Sequence, residues 1–107
     1  MPVGFVKVAT VSEISERRSK RIKVGDEEIA LWRVDGAYYA INNVCCHQHI
    51  PALHLGILEG HQVSCPMHGW TYSLLTGREE TGQGKVRTYR VLVERDCIYI
   101  EEPAPLW

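Results

Sequence analysis

Cys45-Cys46-His47 and Cys65-Pro66-Met67-His68 are the two short segments whose reading decides the fold. As a pattern they are C-x-H, 17 intervening residues, then C-x-x-H. Each segment contributes one Cys and one His. A zinc finger usually groups its ligands differently, with both Cys first and both His later. Alternation has a physical use. If two loops approach side by side, their two Cys can meet at one metal and their two His at another. In C-x-H an extended backbone sends Cys45 and His47 to the same side, because side chains alternate with period two. In C-x-x-H a tight turn brings Cys65 and His68 together, and Pro66 helps set that turn by fixing its own φ. Gly69 follows directly, where a bulky side chain would crowd a bound group.

Outward from these segments the pattern is that of strands. Phe5 to Val11 alternates, and so does Lys20 to Val24. Glu28 to Val34 and Ala37 to Ile41 flank Asp35-Gly36, a strong two-residue hairpin signal. Val91 to Glu94 and Cys97 to Glu101 flank Arg95-Asp96, a second hairpin with weaker turn chemistry. Ser12 to Ser19 reads as a helical turn or a loop, and Gly82-Gln83-Gly84 as a flexible break. The tail Pro103-Ala104-Pro105-Leu106-Trp107 is excluded from a central strand by its prolines.

The bulk properties narrow the function. At 107 residues the chain is long enough for one domain with its own core. A net charge of -1 gives no global pointer to nucleic acid or to an anionic membrane. The N-terminus lacks a basic segment followed by an apolar one, and no apolar run approaches the roughly 20 residues that span a bilayer. A cytoplasmic, monomeric protein with no nucleic-acid or membrane partner is the expectation. Four Cys in a reducing compartment argue for metal ligation over disulfides.

Two Cys and two His in this arrangement match a 2Fe–2S cluster in which His replaces Cys on one iron, and the chain resembles the Rieske family here. The flanks match as well: Leu58-Glu59-Gly60 before the second segment, then Gly69-Trp70-Thr71-Tyr72-Ser73-Leu74 and Thr76-Gly77 after it. Leu31 to Ile41 looks like the strands that precede the first segment in that family. The resemblance covers nearly the whole chain. It implies an all-β Rieske iron–sulfur domain of small stacked antiparallel sheets over residues 1–107, with a two-loop cluster-binding insertion spanning roughly 43–72. It implies one 2Fe–2S cluster, with Cys45 and Cys65 on the inner iron and His47 and His68 on the outer iron near solvent. A structural Cys2His2 zinc site is the alternative for the same residue types, but the flanking match is the more specific signal.

Several further residues carry two readings each. Cys46 lies between two ligands, but alternation points it away from the metal, and a small packing residue is the simpler reading. Cys97 reads as packing. His49 fits either the cluster rim or a solvated loop, and His54 and His61 read as surface loop residues. Ile50-Pro51-Ala52-Leu53-His54-Leu55 is unusually apolar for a loop. It fits an exposed docking rim and burial beneath the cluster equally well. The basic stretch Arg17-Arg18-Ser19-Lys20-Arg21-Ile22-Lys23 fits either an acidic partner or charged protection of an edge strand.

Imidazole in place of thiolate makes the cluster less negative, which places its potential in a window of roughly −150 to +300 mV. High-potential relatives bridge the two loops with a disulfide. Here Ile50 or its neighbours and Met67 stand at those positions. Those relatives also carry a Ser two residues after the last His and a Tyr four after it; this chain has Trp70 and Tyr72. One potential-raising hydroxyl is missing and Tyr72 is a candidate for the other, which implies a low-to-intermediate potential. The chain is too short for an oxygenase catalytic domain, so the resemblance implies an electron carrier and not an enzyme. The expected role is a Rieske-type ferredoxin passing single electrons from a flavin-dependent reductase to a terminal oxygenase. A small subunit of an assimilatory nitrite reductase and a zinc-binding interaction module are the alternatives.

Overall fold

A computed structural model describes residues 4–45, 51–66 and 70–102. His47, His49, Cys46, His68 and the proline-rich tail lie outside the described residues.

The longest strand sets the architecture. β3 (Glu27–Val34) is buried on both faces over Ile29 to Trp32, so it lies at the centre of the fold. It pairs antiparallel with β2 (Ser19–Val24) and with β4 (Ala37–Asn42), and β4 pairs with the two-residue β8 (Thr88–Tyr89). Period-two alternation divides β3 between two cores. Ala30, Trp32 and Val34 join one apolar cluster, and Ile29 and Leu31 join the other.

The second cluster is closed by the sheet β1-β10-β9, made of Phe5–Thr10, Cys97–Glu101 and Val91–Glu94. Ala9, Ile98 and Ile100 are its buried contribution. The first cluster is closed by a small sheet of three-residue strands, β5 (Ile57–Glu59), β6 (Gln62–Ser64) and β7 (Thr71–Ser73). The fold is therefore all-β, with small antiparallel sheets against both faces of the central one. Two 3-10 turns, Val11–Glu13 and Leu53–Leu55, interrupt the strands. Among the described residues no helix is long and apolar enough to cross a membrane.

Both expected hairpins form. At the first turn Asp35 has φ 52° and Gly36 φ 79°, the left-handed pair that matches strand twist. Glu16 reinforces it by accepting the N–H groups of Asp35 and Gly36. At the second turn Arg95 and Asp96 adopt φ 50° and 65° without a glycine.

Candidate metal centre

β4 ends where two asparagines turn the chain out of the sheet. Asn42 Oδ1 accepts the Val44 N–H at 2.9 Å, and Val44 makes an isolated antiparallel bridge to Pro51. The first loop thus leaves and returns side by side. Asn43 holds the returning limb. Its fully buried side chain donates from Nδ2 to the Pro51 carbonyl at 3.1 Å and accepts the His54 N–H at 2.6 Å. Its backbone carbonyl accepts the Leu53 N–H at 3.1 Å. Cys45 sits just beyond this pair and has no exposed surface.

The second segment is built by the β6–β7 pairing. Val63 lies opposite Tyr72, and Ser64 Oγ lies 2.8 Å from Thr71 Oγ1. Cys65 follows β6, and its N–H donates to the Trp70 carbonyl at 2.7 Å, closing the neck of that loop. Gly56 allows the two loops to approach. A Cβ there would lie 2.5 Å from the Ser64 carbonyl, closer than atoms pack.

Cys45, Cys65 and Tyr72 share one apolar cluster with Leu53, Val63 and Leu74, and Trp70 packs against it. The Tyr72 hydroxyl lies 3.3 Å from Cys45 Sγ, and the tyrosine is fully buried. Two sulfur donors in one dry wall, with a phenol beside one of them, fit the protein-facing side of a 2Fe–2S cluster. Thiolate ligands belong away from water, and hydrogen bonds to their sulfurs tune the potential. His47 and His68 are the other two ligands expected from the pattern, and both lie outside the described residues.

Of the other residues singled out, some follow their expectations and some depart from them. The apolar segment before β5 divides in two: Ala52 and Leu53 are buried, whereas Leu55 is 67% exposed. One short 3-10 turn puts neighbouring residues on opposite faces. His54 is half-buried, with its ring Nδ1 3.1 Å from Asn43 Oδ1 and its pKa lowered mainly by desolvation. His61 is also half-buried and stacks edge-on with Tyr39, ring centroids 5.5 Å apart. Cys97 begins β10 opposite Glu94 and Thr10, consistent with packing.

Asn43 and Glu79 had no signal in the sequence. Glu79 lies next to Tyr72 through an isolated bridge, and its carboxylate accepts the Thr81 N–H at 3.0 Å and the Thr81 hydroxyl at 2.5 Å. These bonds, the Thr81 hydroxyl foremost, hold its pKa below the usual carboxylate range. The Glu79 N–H also donates to the Gly84 carbonyl at 2.9 Å, so the expected break at Gly82-Gln83-Gly84 is an ordered turn.

Comparison with known proteins agrees with this geometry. Residues 4–90 match the family described as the Rieske [2Fe-2S] domain. A ferredoxin component of naphthalene 1,2-dioxygenase/salicylate 5-hydroxylase systems from Ralstonia sp is 33% identical over 96 residues, covering 88% of this chain and 91% of the relative. Among solved structures, the ferredoxin of carbazole 1,9a-dioxygenase from Nocardioides aromaticivorans superposes with a TM-score of 0.86 at 25% identity, over 92% of this chain and 98% of that one. A chain from a complex of reduced oxygenase and oxidized ferredoxin in carbazole 1,9a-dioxygenase superposes with a TM-score of 0.85 at 25% identity, over 99% of this chain and all of that one.

Proposed function

Because the chain belongs to the Rieske [2Fe-2S] domain family, we propose that it is a one-electron carrier, taking electrons from a flavin-dependent reductase and delivering them to a terminal oxygenase. The observation that carries this reading is likeness along almost the full length to a ferredoxin component of dioxygenase and hydroxylase systems. A solved complex between a similar ferredoxin and its oxygenase supports the second half of the route. The protein works as a monomer in the cytoplasm, in this reading.

One 2Fe–2S cluster supplies the chemistry: a single electron accepted and released, at a potential raised by imidazole ligands on one iron. Cys45 and Cys65 would hold it from the buried side, with His47 and His68 as its other two ligands. The burial of both cysteines supports this division. It keeps water from the sulfurs, and with it proton transfer and exchange. With Cys45 ligating as a thiolate, the Tyr72 hydroxyl 3.3 Å from its Sγ would be the donor. The remaining residues position these groups, with Asn43 tying down the first loop and the Cys65–Trp70 bond closing the second.

Protein purified without oxygen should contain two iron and two acid-labile sulfide per chain. Chemically reduced protein should show the paramagnetic resonance of a one-electron-reduced cluster, and that signal should vanish when a terminal oxygenase is added. Stoichiometric zinc without sulfide would overturn the ligand assignment. A reduced cluster that no oxygenase reoxidises would overturn the route.

A further inference from the structure

Two sequence features far apart in the chain meet in one open cavity of about 490 Å³. Arg17 and Arg18, from the basic stretch, line one side. His54, Leu55 and Gly56, from the apolar segment, line the other, with Leu58 beside them. We propose that this cavity and its rim are the docking surface for an acidic segment of a redox partner protein, one whose carboxylate enters between Arg17 and Arg18 while a neighbouring apolar side chain covers Leu55 and Ile57. This rests on the electron-carrier reading and names the chemistry of the partner's contact.

Charge is the first argument. Three other basic residues near this end are already paired: Lys20 with Glu13, Arg21 with Glu28 at 2.6 Å, and Arg33 with Glu16 at 3.7 Å. Arg17 and Arg18 are exposed, and among the described residues neither has a carboxylate within 4.0 Å. Glu16, between them and the turn at Asp35-Gly36, is occupied by two backbone N–H groups and by Arg33. Arg17 Nη2 donates to the Leu58 carbonyl at 3.4 Å, which holds this guanidinium at the cavity and leaves its other N–H groups, and those of Arg18, for a carboxylate.

Preorganisation is the second. The loop that carries Arg17 and Arg18 is fastened at several points. The Arg17 N–H donates to the Arg33 carbonyl at 2.7 Å, the Arg33 N–H returns to the Arg18 carbonyl at 3.0 Å, and the Arg18 N–H reaches Ser15. The Ser19 hydroxyl donates to the His54 carbonyl at 2.5 Å, joining the basic loop to the apolar segment. Arg17 is held at φ 61° in the turn that the Arg18 N–H closes onto the Ser15 carbonyl, which fixes where its side chain leaves the backbone.

Apolar exposure next to the cluster is the third. Leu55 and Ile57 are 67% and 68% exposed, while Leu53, two residues earlier, is buried in the same cluster as Cys45 and Cys65. A partner seated on Leu55 therefore touches the segment whose other face packs against the sulfur donors.

The test is fluorescence anisotropy with the cluster-loaded, oxidised protein and three labelled probes: an alternating Glu/Leu hexapeptide, a Lys/Leu counterpart, and a Glu/Ser peptide. The Glu/Leu peptide should bind best, and its affinity should fall with salt. Arg17→Gln with Arg18→Gln should weaken it about tenfold, the scale of two exposed charge pairs. Leu55→Ser should weaken it severalfold and remove the preference over Glu/Ser. Arg90→Gln, on an exposed arginine away from the cavity, should change nothing. Equal binding of Lys/Leu, or affinity indifferent to the arginine variants, would overturn the proposal. The cluster's visible spectrum and its reoxidation by an oxygenase are followed on the same samples. If those fail, the carrier reading falls; if they hold while peptide discrimination is absent, only the docking surface falls.

Discussion

Asn43 grips His54 at two points: one Oδ1 accepts the His54 N–H at 2.6 Å and lies 3.1 Å from the ring Nδ1. The same side chain also donates to the Pro51 carbonyl, so one buried amide fastens the limb that follows the first metal loop. Asn43→Ala strands three polar groups in a dry site and should cost about 2–4 kcal/mol. Denaturant unfolding would read the loss, and hydrogen exchange at the His54 amide should accelerate more than at β3. A variant as stable as the parent would show that water replaces the amide.

The partial burial of His54 sets a pH dependence. Desolvation lowers its folded pKa below the ordinary 6.5, so the unfolded chain takes up a proton first as pH falls. Stability should therefore decline below 6.5, until the folded form protonates as well. His54→Gln should remove this slope between neutral and mildly acidic pH in a series of urea midpoints.

Tyr72→Phe keeps the ring in its buried site and removes only the hydroxyl 3.3 Å from Cys45 Sγ. A donor at that sulfur stabilises the reduced, more negative state more than the oxidised one. If the difference is about 1 kcal/mol, the potential drops by about 40 mV. Voltammetry should show the lower potential with an unchanged visible spectrum. A shift of only a few millivolts would mean the hydroxyl bonds elsewhere.

Gly77 and Gly36 separate two costs of the same substitution. Both have φ near +77° to +79°, but a Cβ at Gly77 would lie 2.1 Å from the Val86 carbonyl, whereas Gly36 has nothing within 4 Å. Gly36→Ala should cost about 1 kcal/mol, from backbone strain alone. Gly77→Ala should cost about 3 kcal/mol or more, because the Gly77–Val86 pairing must also open. Equal midpoints in thermal melts would refute the close approach.

Glu13 should contribute to acid sensitivity. Its carboxylate accepts Lys20 and the Thr10 N–H, which pull its pKa from 4.5 to about 2. The folded pKa is depressed, so the contribution is present above 4.5 and is lost as pH falls from there towards about 2. Glu13→Gln should flatten that part of the stability profile.

The residues explain which of these features could be read in advance. Asp35-Gly36 announces its hairpin because the turn needs two positive φ angles, and Arg95-Asp96 makes the same turn because its strands pair from Cys97 to Ile100 regardless. The pairing of β1 with β10 was out of reach, since alternation in Phe5–Thr10 says nothing about a partner some ninety residues away. Strands of three residues, as in β5, β6 and β7, are too short for periodicity to mark. Motif spacing singles out Cys45 and Cys65 and the family resemblance singles out Tyr72, and all three lie in one apolar core. Asn43 was not, because a buried asparagine differs from a loop asparagine only through contacts made in three dimensions. The joining of Arg17 and Arg18 to Leu55 likewise depends on how the sheets stack.

The short pairing of β4 with β8, only Ala40 to Tyr89 and Ile41 to Thr88, acts as a clasp on the long excursion between them. In polymer terms it closes a large loop at its base, so the central sheet meets that closure entropy through its own pairing. Loss of iron should then leave the clasp and both hairpins folded. Assembly of the cluster should accordingly be a local zipping of two short arms on a base that the sheets have already closed.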